Sequence, residues 1–364
     1  MNKSKERQSN IELLRILTVL GVIILHYINP NIGGGFLYVE HNSINYYSLM
    51  SLESVFICAV DLFFIISGYF LTKSYKCNIR KPVELIVQVI IFKVIYNTAK
   101  SIATYGSVSV KLVLVSILPT NYFVIFYCVL YIIHPYINVL LDRLSYKDYK
   151  RFLLILAVLF LIWPTFVNVL SAFKGDTLAG IDTVGMYGNH NGYNIVNFLL
   201  MYILGAFVRR YNINEKCSKG LSIIALIVSS LALLIWSMID SGIFSSLGKT
   251  AWTYNNPVVA IEAFVVFLFF LNINMGVNRI VNMLARCVFS VFLLHGYFLN
   301  HVNIQGNVNK NVFIMFGHII LTSVGIYLIS MVIHYIYNTL SKLIFDKIFK
   351  GNLQIVKLEN TDDT

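Results

Sequence analysis

Residues 9–29 read Ser-Asn-Ile-Glu-Leu-Leu-Arg-Ile-Leu-Thr-Val-Leu-Gly-Val-Ile-Ile-Leu-His-Tyr-Ile-Asn, an apolar stretch that carries Glu12, Arg15 and His26. From about residue 11 it offers the roughly 20 residues that a helix needs to cross a bilayer. Arg15 and His26 stand eleven positions apart, and at about 100° per residue eleven steps return to within about 20° of the starting face. Both side chains therefore look the same way, about 16 Å apart along the axis, around half the hydrocarbon thickness. A cation and an imidazole are a costly pair to keep on one membrane helix.

The rest of the chain has the same character. It is 57% apolar and 12% charged, against roughly 25% charged in an ordinary soluble domain, and its mean hydropathy is +0.73. The sequence predicts an all-α polytopic membrane protein with about ten transmembrane helices, near residues 11–29, 54–73, 83–104, 121–141, 152–170, 194–209, 219–239, 257–274, 284–302 and 312–340. A basic start before an apolar run also resembles a signal peptide, but no A-x-A site follows, so a retained helix is expected. The net charge of +11 is spread over short loops rather than gathered on one soluble face, which speaks against a nucleic-acid partner. The connections after even-numbered spans hold Lys73, Lys76, Arg80 and Lys81, then Arg143, Lys147, Lys150 and Arg151, then Arg209, Arg210, Lys216 and Lys219, then Arg279 and Arg286. Odd-numbered connections hold Lys111, Lys174, Lys249 and Lys310. This alternation places both termini in the cytoplasm. Residues 1–345 then form one transmembrane domain, and 346–364 a disordered cytoplasmic tail.

With orientation assigned, each intramembrane polar group takes a depth. Arg15 lies near the cytoplasmic interface. His26, Asp61, Glu262 and His295 share a layer in the outer half. The bland readings are a snorkelling Arg15 paired with Glu12, and a satisfied packing role for His295. Lys93, inside the third span, needs a carboxylate or water, with Asp61 and Glu262 as the candidates. The outward connections 30–53 and 171–193, rich in Asn, Gly and Tyr, are either plain loops or surfaces that hold sugars. Five widely spaced cysteines read as packing residues, and no metal site is expected. No phosphate-binding glycine loop, dinucleotide fingerprint or nucleophile elbow occurs. None of the eight histidines is followed by an acid five positions later, which removes the His-x4-Asp pattern of glycerolipid acyltransferases.

Two motifs resemble the membrane acyltransferase-3 family. One is the Arg-x10-His pattern of Arg15 and His26; the other is Asp61-Leu62-Phe63-Phe64-Ile65-Ile66-Ser67-Gly68-Tyr69-Phe70-Leu71. Weaker echoes are Tyr122-Phe123 to Tyr131 and Pro135, Leu204-Gly205, Tyr254 with Asn256-Pro257, and Ser290 to His295. The family's paired arginines after the second helix are reduced to Arg80-Lys81, and the Trp that often starts its fourth helix is Tyr122 or Phe123; a stand-alone membrane core without a fused esterase-like domain is expected.

The resemblance implies a multi-pass protein of the bacterial plasma (inner) membrane. Its reaction would be O-acylation, O-acetylation above all, of a capsule, exopolysaccharide or other cell-envelope glycan. The donor would be cytoplasmic acetyl-CoA and the acceptor a polysaccharide or lipid-linked glycan. On this reading His26 is general base or transient acetyl acceptor, and Asp61 orients it. Arg15, with Arg80 and Lys81, meets the donor's phosphates. Ser67 with Gly68 is either a packing kink or a donor to the thioester. Two alternatives stand beside it: a flippase, exporter or accessory subunit that moves a glycan precursor without chemistry, and a different membrane O-acyltransferase class in which His295 leads.

Overall fold

The structure, a computed structural model, describes residues 7–244, 248–349 and 354–357. Helices occupy each of the ten stretches expected to cross the bilayer. Eight segments are long and apolar enough to do so by length and composition. They are α1 (Ser9–Ile28), α2 (Ile44–Phe56) continued by α3 (Ala59–Leu71), α4 (Arg80–Tyr105), α5 (Tyr122–Asp142), α6 (Tyr146–Lys174), then α8 (Lys219–Phe244), α10 (Arg279–Leu299) and α11 (Val312–Ile348). The remaining two, α7 (Ile195–Tyr211) and α9 (Pro257–Leu271), have 17 and 15 residues, short of the roughly 20 ordinarily needed. The chain is a multi-pass, predominantly helical membrane protein.

Its contacts group into two compact units. Met1–Phe70 with Ser145–Met331 make the first, and Leu71–Leu144 with Val332–Thr364 the second. Of the segment expected as a tail, residues 346–348 continue α11 and Gln354–Lys357 form a strand. Residues 350–353 and 358–364 lie outside the described residues.

The first unit is built around α1. Ile11, Leu14, Val19, Val22 and Ile23 are buried, and the helix packs against α2, α9 and α10. Asn10 Nδ2 donates to the carbonyls of Phe270 and Leu271, at 2.9 and 3.3 Å. These are carbonyls of the last turn of α9, and that of Phe270 also accepts from the Ile273 N–H at 3.1 Å. Ser9 Oγ donates to Asn282 Oδ1 and accepts from the Asn278 N–H, at 3.0 and 2.7 Å. So α9 runs against α1, and α10 rises beside it in the same direction.

Residues 30–53 are not all loop. Ser43 caps α2 by accepting from the Tyr46 N–H at 3.1 Å, and Tyr46, Leu49 and Met50 put one apolar face inward at helical spacing. A break at Ile57 and Cys58 separates α2 from α3. It leaves Asp61 in the first turn of α3, where the helix dipole favours a carboxylate.

Where α3 crosses α7 the backbones nearly touch. A Cβ on Gly68 would overlap the Tyr202 carbonyl, and one on Gly205 would overlap that of Ile65. Phe64 and Phe198 stack beside this crossing at 4.2 Å. Such small-residue contacts are how membrane helices gain close packing without a hydrophobic driving force between them.

In the second unit Lys76–Asn78 pair antiparallel with Gln354–Lys357. Asn138 Nδ2 donates to the carbonyls of Leu71 and Ser74, at 2.7 and 2.8 Å, and Tyr75 Oη donates to Asp142 at 2.6 Å. Burial raises the pKa of the Cys77 thiol, with the Lys81 ammonium opposing, in keeping with a packing role.

Candidate active site

His26 lies in the last turn of α1, and His295 lies in the carboxyl-terminal half of the parallel α10. Their ring centroids are 4.6 Å apart, with His26 Nδ1 2.5 Å from His295 Nε2. On its other side His295 Nδ1 faces the Val291 carbonyl oxygen at 3.3 Å. A carbonyl only accepts, so this nitrogen carries the proton. His295 Nε2 is then bare and takes a hydrogen bond from His26 Nδ1–H. The chain of contacts fixes His26 as the tautomer that presents its Nε2 lone pair. Gly33 closes the backbone over the same turn, its N–H donating to the His26 carbonyl at 2.9 Å. A Cβ at Gly33 would meet the carbonyl oxygens of His26 and Tyr27.

Asp61 and Glu262 are fully buried in the same unit. Asp61 Oδ1 accepts from Asn197 Nδ2 at 3.1 Å, while Oδ2 has no hydrogen-bond partner among the described residues. Glu262 accepts from the Ser230 hydroxyl. The Cys58 thiol, at the break before α3, lies within interaction range of both acids. The hydrogen-bond partner of His26 Nδ1 is thus His295, and that of Asp61 is Asn197. The histidine that the sequence ranks as packing supplies the contact expected of the acid.

A second polar cluster lies toward the amino end of α1. Arg15 Nη1 donates to Glu12 at 3.2 Å, and the guanidinium covers the Phe70 ring at 5.4 Å. The Arg15 side chain keeps 31% of its surface exposed. Glu12 also lies 3.6 Å from Arg7. The next ring of α3, Tyr69, carries Arg209, which donates to its hydroxyl at 3.0 Å and lies 5.0 Å from the ring centre. Two guanidiniums from α1 and α7 are therefore held by adjacent aromatic residues of the Ser-Gly-Tyr-Phe segment. Arg209 enters the sequence reading only as a loop charge. The signal that could have found it is an Arg pair closing an apolar span opposite a buried Tyr.

The other expected donor contacts are placed differently. Ser67 Oγ donates to the Phe63 carbonyl of its own helix at 2.7 Å. Arg80 and Lys81 belong to the second unit. Arg80 is engaged by Glu84 and Asp346, at 2.6 and 2.7 Å. The Lys81 ammonium sits over the rings of Tyr131 and Tyr127, at 4.7 and 5.5 Å. Lys93 also belongs to the second unit. Its Nζ donates to the carbonyls of Leu118 and Val115 and to Thr120 Oγ1, at 3.1, 3.4 and 2.8 Å. It reaches the carbonyl end of the short helix Val110–Ser116, where a cation is favoured.

No group of three or more His, Cys, Asp or Glu suited to a metal ion occurs among the described residues. An imidazole with a directed lone pair and a second imidazole behind it can accept a proton and steady the resulting cation. Such a pair suits general acid–base catalysis.

The sequence model of a family described as an acyltransferase domain matches residues 8–335. No curated protein and no solved structure matches the chain. Since that match takes in most of the chain, including both clusters of α1, the protein belongs to the acyltransferase-3 family.

Proposed function

We propose that this membrane acyltransferase moves an acetyl group from cytoplasmic acetyl-CoA to a hydroxyl of a cell-surface or exported polysaccharide. In this reading the chain sits in the bacterial plasma membrane with ten crossings and both termini inside. The observation that carries it is the His26–His295 contact at one end of α1, with the Arg15 cluster toward the other. Eleven residues of helix, about 16 Å, separate them. An extended pantetheine arm would span that interval, leaving the nucleotide phosphates among fixed cations and bringing the thioester to the imidazole.

His26 Nε2 takes the acceptor hydroxyl proton as the oxygen attacks the thioester carbonyl. The carbon–sulfur bond then breaks, and the departing thiolate recovers the proton from His26. The ester and free CoA thiol are the products. While His26 is cationic its Nδ1–H bond to His295 is charge-assisted and stronger than in the resting state, so the contact lowers the barrier rather than merely the ground state. Asp61, whose Oδ1 accepts from Asn197, is kept as a positioning residue for this reaction. For the phosphates we place Arg15 and Arg209 ahead of Arg80, whose guanidinium two carboxylates already engage. Lys81 belongs to the second unit, over the rings of Tyr131 and Tyr127. Ser67 serves the α3 helix, since its hydroxyl is satisfied within it.

Family membership favours chemistry over a flippase or exporter. The deciding experiment is mass spectrometry of surface glycan from strains with and without the gene. Glycan that is exported but lacks acetyl groups in the deletion strain supports the enzyme; loss of export supports transport.

A further inference from the structure

A groove of about 740 Å³ lies in the first unit, walled by α6, α7 and α9. Its sides are Leu161, Leu200, Leu204, Ala260 and Phe264, and its end at the start of α6 carries Lys147, Lys150 and Arg151. From Lys147 to Ile162, both on its lining, is fifteen helical residues, about 22 Å. That is more than one leaflet's share of a hydrocarbon layer roughly 30 Å thick. Within α6 the segment Val158–Ile162 is a π-helical turn, a local widening that often marks a functional position. The cations converge further. Lys150 and Lys216 Nζ both sit over the Tyr146 ring, at 5.4 and 5.2 Å. Asp148 is the acid among them, and it pairs with Arg151 at 3.5 Å in solvent.

We propose that this groove binds an anionic phospholipid, its chains against the leucine wall and its phosphate among Lys147, Lys150 and Arg151. Charge complementarity names the occupant. An apolar slot longer than one leaflet suits any lipid, but three groove cations with a fourth beside them favour a headgroup with net negative charge. Arg can meet phosphate oxygens two at a time, while the lysines act as point charges. The site shares no residue with the His26 or Arg15 clusters, so it stands or falls independently of acetyl transfer.

The full chain in nanodiscs of phosphatidylcholine doped with phosphatidylglycerol, followed by mass spectrometry of retained lipid, tests it. The expected result is enrichment of phosphatidylglycerol by about tenfold, lost in the K147E/K150E/R151E variant and kept in a K342E/K347E control whose charges lie on α11. Ala260→Trp, which fills the groove without changing charge, reduces retained lipid of both kinds. No headgroup preference, or equal enrichment in the charge-reversed variant, overturns the proposal. So does a polyisoprenyl phosphate that displaces phosphatidylglycerol when offered at equal amount. If the triple variant does not fold, K150Q carries the test, with a smaller but measurable drop in enrichment.

Discussion

Replacing His295 with alanine removes the acceptor that holds His26 in one tautomer. In the resting enzyme the lost bond is between neutral groups, worth about 0.5–1.5 kcal/mol, but in the transition state His26 is cationic and the bond is worth about 1.5–3 kcal/mol. Only the difference, about 1–1.5 kcal/mol, raises the barrier, which corresponds to a fall in kcat of about 5- to 13-fold. The KM for acetyl-CoA is expected to stay within about twofold, because no donor contact is assigned to His295. His295→Gln, whose amide oxygen can still accept from Nδ1–H, recovers part of the rate. The assay is transfer of radiolabelled acetyl groups to glycan in membranes matched for protein level. Thermal unfolding of the purified variants guards against a folding defect. A rate for His295→Ala within threefold of wild type, with the fold intact, refutes the tautomer argument.

Arg15→Ala and Arg209→Ala should each raise the KM for acetyl-CoA by about tenfold or more, the scale of a lost charged hydrogen bond, with kcat little changed; an unchanged KM in both removes the phosphate role. Arg209→Lys should not restore the wild-type value, since an ammonium reproduces neither the stacking on Tyr69 nor the fork of donors. Gly68→Ala must push apart two backbones at the α3–α7 crossing, and overpacking of this kind costs about 1–3 kcal/mol. It should lower the Tm in detergent, whereas an unaltered Tm would show that the crossing is looser than described. Lys93→Met leaves carbonyls near the Val110–Ser116 helix uncapped and should cost stability but not acetyl transfer; a selective loss of kcat would place Lys93 in the chemistry.

The helical architecture was legible because composition and run length decide it: ten apolar stretches each hold a helix at their place. What blurred is local. Residues 44–56 carry Asn, Tyr and Ser at turn-like density, yet the Tyr46–Leu49–Met50 face is buried and Ser43 caps the helix. The two α1 clusters followed from the eleven-residue spacing of Arg15 and His26. Their partners did not. Helical phase says which way His26 faces, but not that α10 rises parallel to α1 and brings His295, rather than Asp61, to its Nδ1. Lys93 shows the same gap: a membrane-depth lysine suggested a carboxylate or water, and backbone carbonyls and a threonine hydroxyl meet it. Arg209 went unnoticed because its role depends on the close approach that Gly68 and Gly205 permit, bringing Tyr69 beside it.

The most direct measurement is acetyl transfer from radiolabelled acetyl-CoA to glycan by membranes carrying His26→Ala, at wild-type protein level. If His26 supplies the base, label in the glycan falls to the background of membranes lacking the protein. Transfer close to wild type would contradict that assignment, and with it the role given to the far end of α1.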